Sequence, residues 1–235
     1  MPNIWVYVVG GIVAIGAIVS IQGIIGENEG TKVTDRQATT ATANAAPIEL
    51  DIPKPDASFD KYEITKDDFI LGMDTAPITV IEYASLTCPH CAQFHQNALP
   101  IIKKDFIETG KIRYVFRDFP LDQLALSGSM IAQCAGRDRY FAFIDALFSQ
   151  QSNWARDAKP FAALSRIARL GGLSQAKFDK CIKDKDIADS ILKKRLDGDK
   201  IFGINSTPTI IINGKRFSGG LSIEQFKAVI APLLK

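Results

Sequence analysis

Charge of either sign is nearly balanced in this chain, and that lack of bias excludes several classes of partner. Lys and Arg number 28 against 26 Asp and Glu, a formal net charge of +2, with neither a basic stripe nor an acidic run. Nothing in that pattern suits nucleic acid or a strongly charged substrate. Histidine and cysteine are scarce, two and four residues, and the single Cys-x-x-Cys has no second Cys-x-x-Cys or His-x-x-x-His to accompany it. A tetrahedral zinc site would need those further ligands, so no metal is expected. What the chain does have is apolar residues, 46% of 235, enough for a core that depends on neither disulfides nor metal.

The apolar residues are unevenly placed. Residues 4–25 carry no charge over about 22 positions, roughly 33 Å as a helix and the depth of a bilayer core. This predicts an N-terminal transmembrane helix, with residues 1–26 as the membrane anchor. A cleaved signal peptide is the competing reading, but the run is longer than a usual signal core, lacks a Lys/Arg n-region and shows no small-x-small cleavage site. Residues 27–60 then turn polar and Ala/Thr-rich, punctuated by Pro47, Pro53 and Pro55. They read as a flexible tether without heptads, hence not a coiled-coil stalk. The folded domain is expected over 61–235.

Within that domain Cys88-Pro89-His90-Cys91 follows an apolar, β-branched run at 78–84 and precedes the helical spacing of 92–109. Cys88 therefore falls at a helix N-cap with Pro89 at the first helical position, where a missing N–H has no intrahelical partner to lose. A thiolate there is stabilised by unpaired N–H groups and the helix dipole, so Cys88 is expected to be acidic and exposed, and Cys91, one turn in, covered. Pro100 should kink the same helix. An apolar strand at 112–116 completes a βαβ unit, and five helical stretches fill 121–200. Strand residues return at 208–212, turn through Asn213-Gly214, continue at 216–217, and lead to a last helix opened by Ser222 and Gln225 as a capping box.

This order resembles the thioredoxin fold of the DsbA-like thiol:disulfide oxidoreductases: α/β, βαβ–ββα, with an inserted helical domain at about 121–200. The motifs that carry the resemblance are Cys-Pro-His-Cys, which matches the oxidase members, and Ser206-Thr207-Pro208 before the third strand, which matches the family's cis-proline loop. The resemblance implies that Thr207 and Pro208 meet a substrate peptide, and that Glu82, six residues before Cys88, is a buried acid moving the proton of Cys91. It further implies a catalytic pair Cys88 and Cys91 tuned by His90, no cofactor, reduced exported proteins as substrates and a DsbB-like membrane partner for reoxidation. The location expected on these grounds is the bacterial inner membrane, single-pass, with the catalytic domain in the periplasm.

Each residue has a plainer reading. Glu82 as a solvent-facing residue of an edge strand conflicts with its apolar neighbours. Pro208 as a trans proline is excluded only by the resemblance. His95, four residues past Cys91, suits packing as well as catalysis. Thr207 before the proline is shared with isomerase branches, so a disulfide isomerase or reductase stays open, as does a non-enzymatic envelope protein binding metal or peptide. Cys134 and Cys181 are either two buried thiols or, in an oxidising compartment, a structural disulfide.

Overall fold

The computed structural model describes residues 51–234. The expected anchor and the tether as far as residue 50 lie outside them. Among the described residues no helix is long and apolar enough to cross a membrane.

Six strands form one sheet: β1 (Ala57–Ser58), β2 (Phe69–Leu71), β3 (Ile78–Ala84), β4 (Ile112–Asp118), β5 (Thr209–Ile212) and β6 (Lys215–Ser218), in the order β1-β6-β5-β3-β4-β2. β3 and β4 are parallel, and β5 lies antiparallel to β3 on its other side. A strand flanked on both edges and covered on both faces needs apolar residues throughout, and all seven residues of β3 are buried. Ile78, Val80 and Ala84 join the larger core on one face, while Ile81 and Tyr83 join Phe119, Phe202 and Ile204 on the other. Glu82 shares the first face by strand alternation.

Residues 56–59, assigned to the tether from composition, belong to the folded domain instead. Ala57 pairs with Arg216 in β1–β6, Asp56 N–H donates to Arg216 O at 2.9 Å, and the Phe59 ring meets Phe202 edge-on at 5.1 Å. Without β1 the donors and acceptors of β6 would be left open at a sheet edge. The β5–β6 turn uses Asn213 at φ 45 and Gly214 at φ 83, the positive pair that a two-residue hairpin demands.

The helix after β3 is a composite: α1 (Pro89–Gln93), a π turn (Phe94–Ala98), α2 (Leu99–Ile102) and a second π turn (Lys103–Ile107). Pro100 has no N–H for the α ladder, and the turn before it is wound wide, with Leu99 N–H reaching back to Phe94 O. The expected kink is thus taken up as a π turn, in which Phe94 and His95 are both buried. Helices α3 (Gln123–Cys134), α4 (Arg137–Ser149), α5 (Gln151–Ala155), α6 (Pro160–Leu170), α7 (Gln175–Cys181) and α8 (Lys185–Phe202) make up the insertion. α8 lies so close to β3 that a Cβ at Gly198 would stand 2.6 Å from the Tyr83 ring. Last comes α9 (Ile223–Ile230), with both hydrogen bonds of the Ser222–Gln225 capping box in place.

Cys134 and Cys181 end α3 and α7 and are joined in a disulfide, their Cα atoms 6.0 Å apart. The bridge closes a loop within the insertion, and the other two cysteines are free.

Candidate active site

The site is built where β3 runs into α1. Cys88 has extended backbone, φ −78 and ψ 120, and is the N-cap of α1 with Pro89 at its first position. The N–H groups of His90 and Cys91 turn back toward the Cys88 sulfur. Three segments distant in sequence fix this junction. Gln151 Nε2, at the start of α5, donates to Leu86 O at 2.8 Å and to Cys88 O at 2.9 Å. Thr87 Oγ1 donates to Asp122 Oδ2 at 2.7 Å, and the other oxygen of Asp122 caps α3 by accepting from Ala125 N–H at 2.7 Å. The Thr207–Pro208 peptide is cis, and Thr207 O accepts a hydrogen bond from the Cys88 thiol at 3.2 Å.

That loop corrects one expectation. Cys88 is 6% exposed and Cys91 0%, so the order of cover is as expected, but the Cys88 residue is largely covered rather than open to solvent. Thr207 lies against it, followed by Pro208. Beside them runs a cleft of about 510 Å³, lined among others by His90, Phe94, Thr207, Pro208, Leu221 and Ile223. His90 is on the exposed rim, with Nδ1 3.3 Å from Gln93 Oε1, and its backbone N–H is the part that serves Cys88.

The two thiols differ sharply in acidity. A hydrogen bond from the Cys91 thiol is the largest influence on Cys88. Together with Thr207 and the N–H groups of Cys91 and His90, it outweighs burial and lowers Cys88 from 9.0 to about 5. Thr207 Oγ1 is buried without a hydrogen-bond partner. Cys91 is driven the other way, first by burial, then by its hydrogen bond to Cys88 and the charge of Glu82. One sulfur is therefore a ready thiolate at neutral pH, and the other holds its proton.

Glu82 is fully buried on the central strand, which rules out the edge-strand reading. Its Oε2 accepts a hydrogen bond from Tyr114 OH and lies 3.1 Å from His95 Nε2. His95 is thus a buried neighbour of the acid. Of the residues grouped at the site from the sequence, Cys88, Cys91, Pro89, His90, Glu82, Thr207 and Pro208 stand together in the structure. Tyr114, Gln151 and Asp122 were missed. Asp122, just ahead of a helical run, carries a capping signal that could have drawn attention to it; Tyr114 and Gln151 have no local signal. Among the described residues no group of three or more His, Cys, Asp or Glu side chains could hold a metal ion.

Comparison with known proteins agrees with this geometry. The thioredoxin family model matches residues 64–231. A relative from Rickettsia bellii, provisionally named a protein-disulfide oxidoreductase, is 32% identical over 170 residues, 72% of this chain and 65% of the relative, so the chain spans under two thirds of its length. The crystal structure of alpha-DsbA1 from Wolbachia pipientis has a TM-score of 0.69 at 37% identity, covering 73% of this chain and 92% of that one. BdbD from Bacillus subtilis, solved in its oxidised form, shares the fold with a TM-score of 0.63 at 23% identity, over 71% of this chain and 92% of that one.

Proposed function

The chain belongs to the DsbA-like branch of the thioredoxin family, and from that premise we propose that it is a protein-disulfide oxidoreductase working as a dithiol oxidase through Cys88 and Cys91. The observation that carries this reading is the placement of Cys88 at the N-cap of α1 with its thiol on Thr207 O and Cys91 buried one turn behind it, an arrangement that lowers Cys88 to about 5 and raises Cys91. In the oxidised form a substrate thiolate attacks Cys88 and forms a mixed disulfide, and Cys91 leaves with the electron pair of the broken bond and is protonated. The second substrate thiolate then attacks its partner sulfur and displaces Cys88 as a thiolate. The substrate gains a disulfide, and the enzyme holds the two electrons as a dithiol.

A low-pKa leaving group speeds the last step and favours the reduced enzyme. The cleft beside Thr207 and Pro208 gives a substrate chain a place to lie along the dithiol. The substrates in this reading are reduced exported proteins, and a DsbB-like membrane protein reoxidises the dithiol. Residues 4–25 anchor the protein in the bacterial inner membrane with the domain on the periplasmic side.

Thr207 ahead of the cis proline favours a second reading, disulfide isomerase. The two separate in a single comparison: oxidation of a reduced two-cysteine peptide against rescue of scrambled ribonuclease. Faster oxidation is expected. Efficient rescue with poor oxidation would reassign the protein to isomerase.

A further inference from the structure

The acid behind the dithiol is held by one oxygen only. Glu82 Oε2 takes both of its neighbours, Tyr114 OH and His95 Nε2, whereas Oε1 is buried with no partner. Burial and the charge of Glu82 push the Tyr114 phenol well above its usual range, so it keeps its proton and donates. A lone pair on His95 Nε2 would then face an oxygen lone pair at 3.1 Å, which is repulsive, so Nε2 carries hydrogen and donates too. The imidazole plane is fixed by its neighbours: it stacks on Phe148 with centroids 4.0 Å apart and meets Phe116 edge-on at 5.6 Å. Its Nδ1 is buried without a partner, leaving Glu82 as the side chain's polar contact.

The titratable groups facing this cluster are few. Glu82 comes from β3, Tyr114 from β4 and Cys91 from the helix that carries His95. Tyr140 and Asp145, both on α4, act on Tyr114 by charge. Among the described residues no lysine or arginine pairs with Glu82. Two donors on one carboxylate oxygen leave the other as the basic position, and Cys91 lies within the field of that carboxylate.

We propose that His95 is a positioning residue of the redox cycle: through Nε2 it pins Oε2 of Glu82 and so reserves Oε1 to exchange a proton with Cys91. The inference rests on the dithiol cycling proposed above. When Cys91 closes on a mixed disulfide at Cys88, its S–H proton passes to Glu82 Oε1 and its sulfur lone pair forms the Cys88–Cys91 bond. The bond from Cys88 to the substrate breaks, and its electron pair leaves on the substrate sulfur as a thiolate. In the opposite direction Cys91 leaves as a thiolate and takes the proton back from Glu82.

The test uses the full chain, with Cys88 held in a mixed disulfide with glutathione, and follows glutathione release by Cys91 from pH 5 to 9. His95→Leu should slow release about 10- to 100-fold, the rate equivalent of one charge-assisted hydrogen bond, and change its pH profile. His95→Gln, whose amide N–H can reach the same oxygen, should recover most of the rate. Alkylation of Cys88 against pH should stay as in the wild type throughout. Wild-type release and pH profile in His95→Leu, or equal loss in the Leu and Gln variants, would overturn the proposal. If His95→Leu does not fold, Tyr114→Phe removes the other donor; slowing in the same sense supports the arrangement, and an unchanged rate refutes it. Failure of the wild-type mixed disulfide to close would instead bring down the dithiol reading, and this inference with it.

Discussion

Lowering the pH from 7 to 4 should remove most of the stability that the Cys88 thiolate gives the reduced protein. Cys88 falls from 9.0 to about 5 in the folded state. A depressed value stabilises the folded form fully above the unfolded pKa, and the contribution fades as pH drops toward the folded one. At pH 7 the folded thiol is ionised and the unfolded thiol is not. Each pH unit between 7 and the folded value is worth about 1.4 kcal/mol, giving ~3 kcal/mol in all. In the oxidised protein Cys88 cannot titrate, so the same ~3 kcal/mol appears as a shift of roughly 60 mV toward a more oxidising couple.

The assay is urea unfolding from pH 4 to 8 of the oxidised protein and of protein reduced only at Cys88–Cys91, with the Cys134–Cys181 bond verified closed by mass. Carboxylates that shift on folding, such as Asp68 downward and Asp118 upward, are present in both forms and cancel to first order in the difference. Cys91, shifted upward, subtracts from the reduced form only above about pH 9, where the unfolded chain ionises that thiol. The stability difference should therefore fall by about 3 kcal/mol between pH 7 and 4, levelling off below about 5. A difference that stays flat from pH 7 to 4 would refute the claim that the helix start, Cys91 and Thr207 stabilise this thiolate.

Replacing Cys134 and Cys181 together by Ala should destabilise the domain by up to ~4 kcal/mol on the chain-entropy model, because the bridge spans a sequence separation of 47. Chemical denaturation measures this, and an unchanged midpoint would show that the loop is already confined in the unfolded chain. Membrane fractionation should recover the protein with the bilayer through residues 4–25, resistant to alkaline carbonate. A mature chain that begins after Gly23 and is released by osmotic shock would replace the anchor with a cleaved leader.

Local chemistry in the sequence was enough to place the Cys88–Cys91 pair at a helix start. The β-branched run at 78–84, the Cys88-Pro89 start of a helix, the Asn213-Gly214 turn and the Ser222–Gln225 box each act within a few residues, through dihedral preferences and orphan backbone groups, and each is found where it was expected. The meeting of distant side chains was not legible in the same way. Tyr114 reaches Glu82 because β4 lies parallel to β3 with Tyr114 opposite Val80, one same-face step along from the acid. Period-two alternation gives the face but not the neighbouring strand or its register. His95 turns inward in a wide π turn ahead of Pro100, where a simple kink was the natural expectation. Gln151 and Thr207 arrive from 63 and 119 residues away, so a periodicity read over a dozen residues holds no trace of them. β1 joins the sheet because β6 exposes unpaired backbone, a need that exists only once β6 has folded. The sequence by itself thus determined which sulfur stands at the helix start, since a helix start is a local event. The order and register of the strands decided that Thr207 meets that sulfur and that Tyr114 meets Glu82, because those contacts depend on which distant groups the sheet brings within a few ångströms of one another.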